Sequence, residues 1–185
     1  MTADLSHYLE KLVVNCNRCE LHHNGFALER AKGNKSIMVV GEAPGEEEEK
    51  TQLPFVGASG HRLDEILKYL NINDYVITNI VKHRPPNNET PTKEIMDKCI
   101  QYLLFEIDFY KPKLIILLGQ SASYLLKENK SVTELIQDSL SGKYSYNGIP
   151  VLVFYHPSYL LRIGATVDKI SGILEHYKRA IERCM

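Results

Sequence analysis

The sequence predicts an α/β fold, a three-layer sandwich in which a four-stranded parallel sheet is flanked by helices, within one domain over residues 1–185. Two observations carry this. Four short runs are rich in β-branched and aliphatic residues and close in polar or Gly/Pro-containing turns, as strands buried on both faces do. Amphipathic helical patterns separate them, and strand–helix–strand succession implies right-handed crossovers that cover both faces of the sheet.

In chain order, the strands are read in "SIMVVGEA" from Ser36, "YVITNIV" from Tyr75, "KLIILLGQ" from Lys113 and "VLVFYHP" from Val151. Between the first two, "SGHRLDEILKYL" places Leu63, Ile66, Leu67 and Leu70 on one helical face. "TPTKEIMDKCIQYLLFEIDFY" reads as a long helix with Thr92 as its cap, "SASYLLKE" as a short one, and "DKISGILEHYKRAIERC" as a closing amphipathic helix. The glutamate run Glu46 to Glu49 suits a solvated face or the first turn of a helix. In such a sheet ligands bind beyond the carboxyl ends of the strands, which here carry Glu42 to Gly45, Asn79 to His83, Gly119-Gln120 and His156 to Ser158.

Composition excludes several classes. The apolar fraction of 44% belongs to a globular chain rather than a disordered one. A net charge of −1 neither demands nor forbids nucleic acid, because a balanced total can hide a local basic face. The opening "MTADLSHYLEKL" lacks the basic-then-apolar pattern of a secretory signal, and no apolar run approaches the roughly 20 residues of a membrane helix. A soluble intracellular monomer without membrane contact is expected. Four cysteines are too few for a disulfide framework at this length.

Individual motifs leave alternatives open. Cys16 and Cys19 form a C-x-x-C pair that suits one metal centre or a redox pair. "GEAPG" at Gly41 fits no phosphate-loop pattern, so it is either an ordinary turn or a place where small residues let backbone approach a flat ligand, with Phe55 offering a ring to stack on it. Asn79 caps a turn or presents a donor and an acceptor side by side to a base edge. Tyr159, Leu160 and Leu161, after "HPS", fit a core-facing helical turn.

Together, "GEAPGEEEE" with "PFVGASG", "TNIVKHRPPNNETPT", "LIILLGQSA" and "HPSYLLR" resemble, in order and approximate spacing, the family 4 branch of the uracil-DNA glycosylase superfamily, which carries an iron–sulfur cluster. The resemblance implies uracil-containing DNA as partner and a uridine flipped into a pocket at the strand ends. It implies that Gly41, Glu42 and Ala43 contact uracil through backbone, that Phe55 stacks on it, that Asn79 reads its N3 and O4 edge, and that His156 faces O2. It also implies a [4Fe-4S] cluster on Cys16, Cys19 and Cys99, with His83 standing where the family pattern has a fourth cysteine. Imidazole ligates iron in Rieske centres, so a three-cysteine, one-histidine set is chemically reasonable.

The expected reaction is hydrolysis of the bond between uracil N1 and deoxyribose C1′, with His156 stabilising charge on the departing base. Ala43 stands where another branch has an aspartate, so the water-orienting carboxylate must come from elsewhere, and Glu48 is the expected choice. Lys82 and Arg84 are expected on phosphates, and Leu160 and Arg162 in the space the base vacates. The alternative is a protein that captures uracil-DNA, covalently or not, with little turnover. Against covalent capture, the branch that does this carries an arginine-rich insertion that is absent between Pro86 and Thr90.

Overall fold

The computed structural model describes residues 2–185. In chain order the elements are α1 (Thr2–Val14), β1 (Arg30–Lys32), β2 (Ile37–Gly41), α2 (Glu46–Thr51), α3 (Ala58–Tyr69), β3 (Tyr75–Asn79), α4 (Lys93–Tyr110), β4 (Leu114–Leu118), α5 (Gly119–Ala122), α6 (Val132–Leu140), β5 (Ser145–Tyr146), β6 (Ile149–Phe154), α7 (Pro157–Arg162) and α8 (Ser171–Cys184). They form a sheet of order β1-β3-β2-β4-β6-β5. The four central strands run parallel, as the sequence predicts, and every residue of β2 and β4 is buried, as a sheet covered on both faces requires.

Two short antiparallel edge strands extend the expected four to six. At one edge β1 pairs with β3 and exposes Ala31 and Lys32, a short charged border that discourages further pairing. At the other, β5 folds back on β6 through Asn147-Gly148, both at positive φ (48° and 81°), the residues a tight hairpin of this hand selects.

The helices follow from local signals. Thr92 caps α4 by accepting from the Ile95 amide at 3.3 Å, as its position predicts. α6 opens on a reciprocal cap, with the Ser131 hydroxyl accepting from the Glu134 amide and the Glu134 carboxylate accepting from the Ser131 amide. Its Ser139 hydroxyl accepts from the Val153 amide at 3.0 Å, which fixes α6 to β6. The helix expected over "SASYLLKE" is instead α5 running into a 3-10 turn, Ser123–Leu126, that ends at left-handed Lys127. α1 buries Leu9 and Val13 completely and delivers the chain to Cys16. Among the described residues no helix is long and apolar enough to cross a membrane.

The start of α3 sets the position of Phe55. A Cβ on Gly60 would lie 1.8 Å from the Phe55 carbonyl oxygen, so only glycine lets α3 approach this loop. Phe55 itself is held at φ 55°, a left-handed conformation that costs a side-chain-bearing residue about 1–2 kcal/mol. Gly60→Ala should therefore destabilise the protein by about 1–3 kcal/mol through overpacking. Urea unfolding checks this: a lower midpoint at constant slope is expected, and an unchanged midpoint means the loop yields freely.

Candidate active site and metal centre

Parallel pairing places Gly41 opposite Asn79 at the carboxyl ends of β2 and β3. The pairing continues past the strands, since Ile80 and Val81 donate their amides to the Gly41 and Glu42 carbonyls at 3.0 Å. A cleft of about 440 Å³ opens there, with Glu42, Ala43, Phe55, Asn79 and His156 among its walls. Gly41 lets two of these walls pack close by having no side chain: a Cβ would sit 2.4 Å from both Asn79 Oδ1 and Phe55 Cζ. Asn79 is 1% exposed, and its Oδ1 is buried without a hydrogen-bond partner. A buried acceptor left unsatisfied costs about 1–3 kcal/mol, which a bound donor recovers.

His156 caps α7 and shares the cleft with Phe55, their ring centroids 5.8 Å apart. Its Nδ1 accepts from the Ser158 amide at 3.2 Å and lies 2.7 Å from the Ser158 hydroxyl. Because a backbone amide only donates, Nδ1 is the acceptor and the ring proton is assigned to Nε2. Burial pulls the imidazole down to a pKa of about 4. The residue is thus a neutral Nε2–H donor at neutral pH.

The carboxylates divide differently from expectation. Glu48 Oε1 accepts from the Val56 and Gly57 amides, each at 2.9 Å, and Oε2 accepts from the Gly45 amide at 3.2 Å. These bonds tie the Gly45 turn to the Phe55 loop, so Glu48 is engaged in holding two walls together rather than poised over water. Glu42 is half-buried at the cleft wall, where its carboxylate accepts from the Ser121 hydroxyl and burial pushes its pKa up. Sequence reasoning gave Glu42 only a backbone role, since nothing in "GEAPG" distinguishes its carboxylate from those that follow.

Two expected DNA contacts are corrected. Lys82 is wholly buried and ion-paired with Glu106 at 2.7 Å, out of reach of any phosphate. Leu160 is 2% exposed, packed into the core as the helical period of α7 dictates, and is unavailable as a wedge. Arg84 is half-buried between Glu49, at 2.7 Å, and Asn88, at 2.8 Å. Arg162 is exposed and lies 5.5 Å over the ring of Tyr159, which in turn stacks on Tyr155 at 5.3 Å. Tyr159 was missed as a surface side chain because "YLL" reads as uniformly apolar.

Cys16, Cys19, His83 and Cys99 line one small cavity, although they come from the loop after α1, the segment beyond β3, and α4. Residues 82–84 run antiparallel to 25–27, with Ala27 and Arg84 amides donating to the Lys82 and Gly25 carbonyls at 3.0 and 2.9 Å. This pairing turns His83 inward, where it is 3% exposed and burial lowers its pKa, favouring the neutral ring that metals bind. Cys99 Sγ accepts from the Lys82 amide at 3.3 Å, and burial lifts its thiol to a pKa of about 11. Among the described residues no three such side chains converge on a point that holds a single metal ion.

The depressed His156 pKa has a defined sign. Between 6.5 and about 4 the unfolded imidazole takes up a proton that the folded one refuses, so stability falls as pH drops through that window. The Nε2–H donor form persists to about pH 4. Following the His156 ring resonances by NMR should give a midpoint near 4, and a midpoint near 6.5 would mean the ring is solvated.

Residues 29–178 match the profile of the Uracil DNA glycosylase superfamily. Over 165 residues the chain is 39% identical to a type-4 uracil-DNA glycosylase of Thermotoga maritima, covering 86% of this chain and 84% of that protein. It is also 39% identical over 165 residues to one of Pyrobaculum aerophilum, covering 83% of each, and 34% identical over 158 residues to one of Archaeoglobus fulgidus, covering 80% and 79%. The chain belongs to the uracil-DNA glycosylase superfamily, within the type-4 group.

Proposed function

We propose that this chain removes uracil from DNA by hydrolysing its N-glycosidic bond, and that Asn79 is the group that selects the base. The observation that carries this reading is the buried, unpartnered Asn79 Oδ1 at a cleft walled by Phe55 and His156. Uracil offers an N3–H donor beside the O4 acceptor, the complement of one amide. A uridine flipped from the stack, at a cost of a few kcal/mol, places its ring against Phe55 and its O2 toward His156 Nε2–H.

As the bond to C1′ breaks, its electron pair stays with N1 and negative charge spreads to O2. The neutral His156 donor meets that charge where it develops. Glu42, held by Ser121 and free of the backbone duties of Glu48, orients the water whose oxygen bonds to C1′. The water proton passes to the carboxylate or solvent, uracil leaves, and an abasic sugar remains. Exposed Arg162 and Tyr159 beside the cleft suit phosphate and base contact better than Lys82 and Leu160 do.

Incubation with a uracil-containing oligonucleotide, followed by alkaline cleavage and a check for covalent adduct, tests the reaction. Asn79→Asp should admit cytosine as a substrate, because an acid changes the donor and acceptor pattern offered to the base. Intact cytosine DNA with unchanged uracil excision would remove Asn79 from this role.

Cys16, Cys19, His83 and Cys99 fit an iron–sulfur cluster: three thiols and a neutral imidazole surround one cavity without converging on a single point, and an amide already donates to one sulfur. A [4Fe-4S] group bound there would tie the loop after α1, the segment following Asn79 and α4 to one another. One imidazole in place of a thiolate leaves the site one unit less negative and raises its reduction potential. Iron, sulfide and redox titration of anaerobic wild type and His83→Cys should therefore show the lower potential in His83→Cys. If wild type and His83→Ala carry the same cluster at the same potential, His83 is not a ligand.

A further inference from the structure

Among the described residues the most deeply buried charges lie against the backbone of Asn79, and base recognition leaves them without a task. Lys82 and Glu106 are both 0% exposed. The Lys82 ammonium donates to Glu106 Oε2 at 2.7 Å, to the Thr78 hydroxyl at 2.6 Å and to the Asn79 carbonyl at 2.9 Å, so each of its three N–H groups has an acceptor. The Thr78 hydroxyl lies 3.1 Å from the Leu28 carbonyl and 3.0 Å from Glu106 Oε1, closing the network against the chain before β1 and against α4. Lys82 main-chain groups are used as fully, the amide by Cys99 Sγ and the carbonyl by the Ala27 amide.

A buried ion pair is a poor source of stability, because apolar replacements of similar volume are often neutral or better. What apolar side chains cannot supply is a directed bond to the Asn79 carbonyl. The Asn79 side chain makes no hydrogen bond of its own at Oδ1, so the direction of its amide is set by its backbone and by packing against Phe55 and Gly41.

We propose that Lys82 is a positioning residue for base recognition: neutralised by Glu106, its ammonium clamps the Asn79 carbonyl and thereby sets the angle at which the Asn79 amide meets the uracil edge. The proposal rests on the reading of Asn79 as the base-selecting group. It gives the lysine that sequence reasoning sent to the DNA backbone a role on the inner side of the same segment.

The test compares wild type with Lys82→Met/Glu106→Leu, which removes both charges together, and with Thr78→Val, which keeps the ion pair and the shape while removing one acceptor of the clamp. Steady-state excision of a single-uracil oligonucleotide, inhibition by free uracil and thermal melting are measured on each. The double variant should melt within a few degrees of wild type and keep its KM for DNA, yet lose kcat by roughly 10- to 100-fold, the scale of a small misplacement at a reacting group. Inhibition by free uracil should weaken by a similar factor. Thr78→Val should shift kcat and uracil inhibition in the same direction by a smaller factor, and it decides the matter if the double variant does not fold. Full kcat and unchanged uracil inhibition in whichever of these variants is folded overturn the proposal alone. Wild type that releases no uracil overturns the functional reading and this proposal with it.

Discussion

The site depends on the parallel pairing of β2 with β3, which brings Gly41 opposite Asn79 and leaves no side chain between them and Phe55. Any Cβ at position 41 would overlap both the Asn79 amide and the Phe55 ring. The same pairing extends through Ile80 and Val81, so the chain leaving β3 is already fixed when it reaches Lys82 and His83. One register therefore sets the close approach of Gly41 to Asn79 and the path of the chain to the cysteine–histidine cavity.

Around the cleft, several polar groups are already paired with one another. Glu48 is consumed by three backbone amides, Arg84 by Glu49 and Asn88, and Lys82 by three acceptors. Among the groups left for a ligand are an amide oxygen without a partner, a neutral imidazole proton and the Glu42 carboxylate. Neutral donors suit a departing base better than a fixed cation would: they meet charge as it forms without binding an anion strongly beforehand.

Much of this was legible in the sequence. The four parallel strands announced themselves as apolar runs, Thr92 as a cap, and the strand ends as the ligand edge, because burial on both faces and capping chemistry are local signals. The Asn147-Gly148 turn and the Ser131/Glu134 cap carry equally local signals, and their omission left β5 and α6 unread. The misassigned residues fail for another reason. A lysine next to an arginine looks like phosphate-binding surface, and only the arrival of Glu106, 24 positions along the chain, turns it inward. A glutamate in a run of glutamates cannot be told from its neighbours until a loop brings the Val56 and Gly57 amides to it. Leu160 was readable as core by helical period, but the resemblance drew it toward DNA.

The central claim is that the absence of a side chain at residue 41 lets Asn79 and Phe55 take the positions from which they meet the base. Steady-state release of free uracil from a single-uracil oligonucleotide, compared between wild type and Gly41→Ala of matched native fold, tests it most directly. The account predicts many turnovers per wild-type chain and a loss of roughly 100-fold in Gly41→Ala, the consequence of displacing Asn79 and Phe55 from the base. Equal rates of uracil release from the two proteins would contradict it.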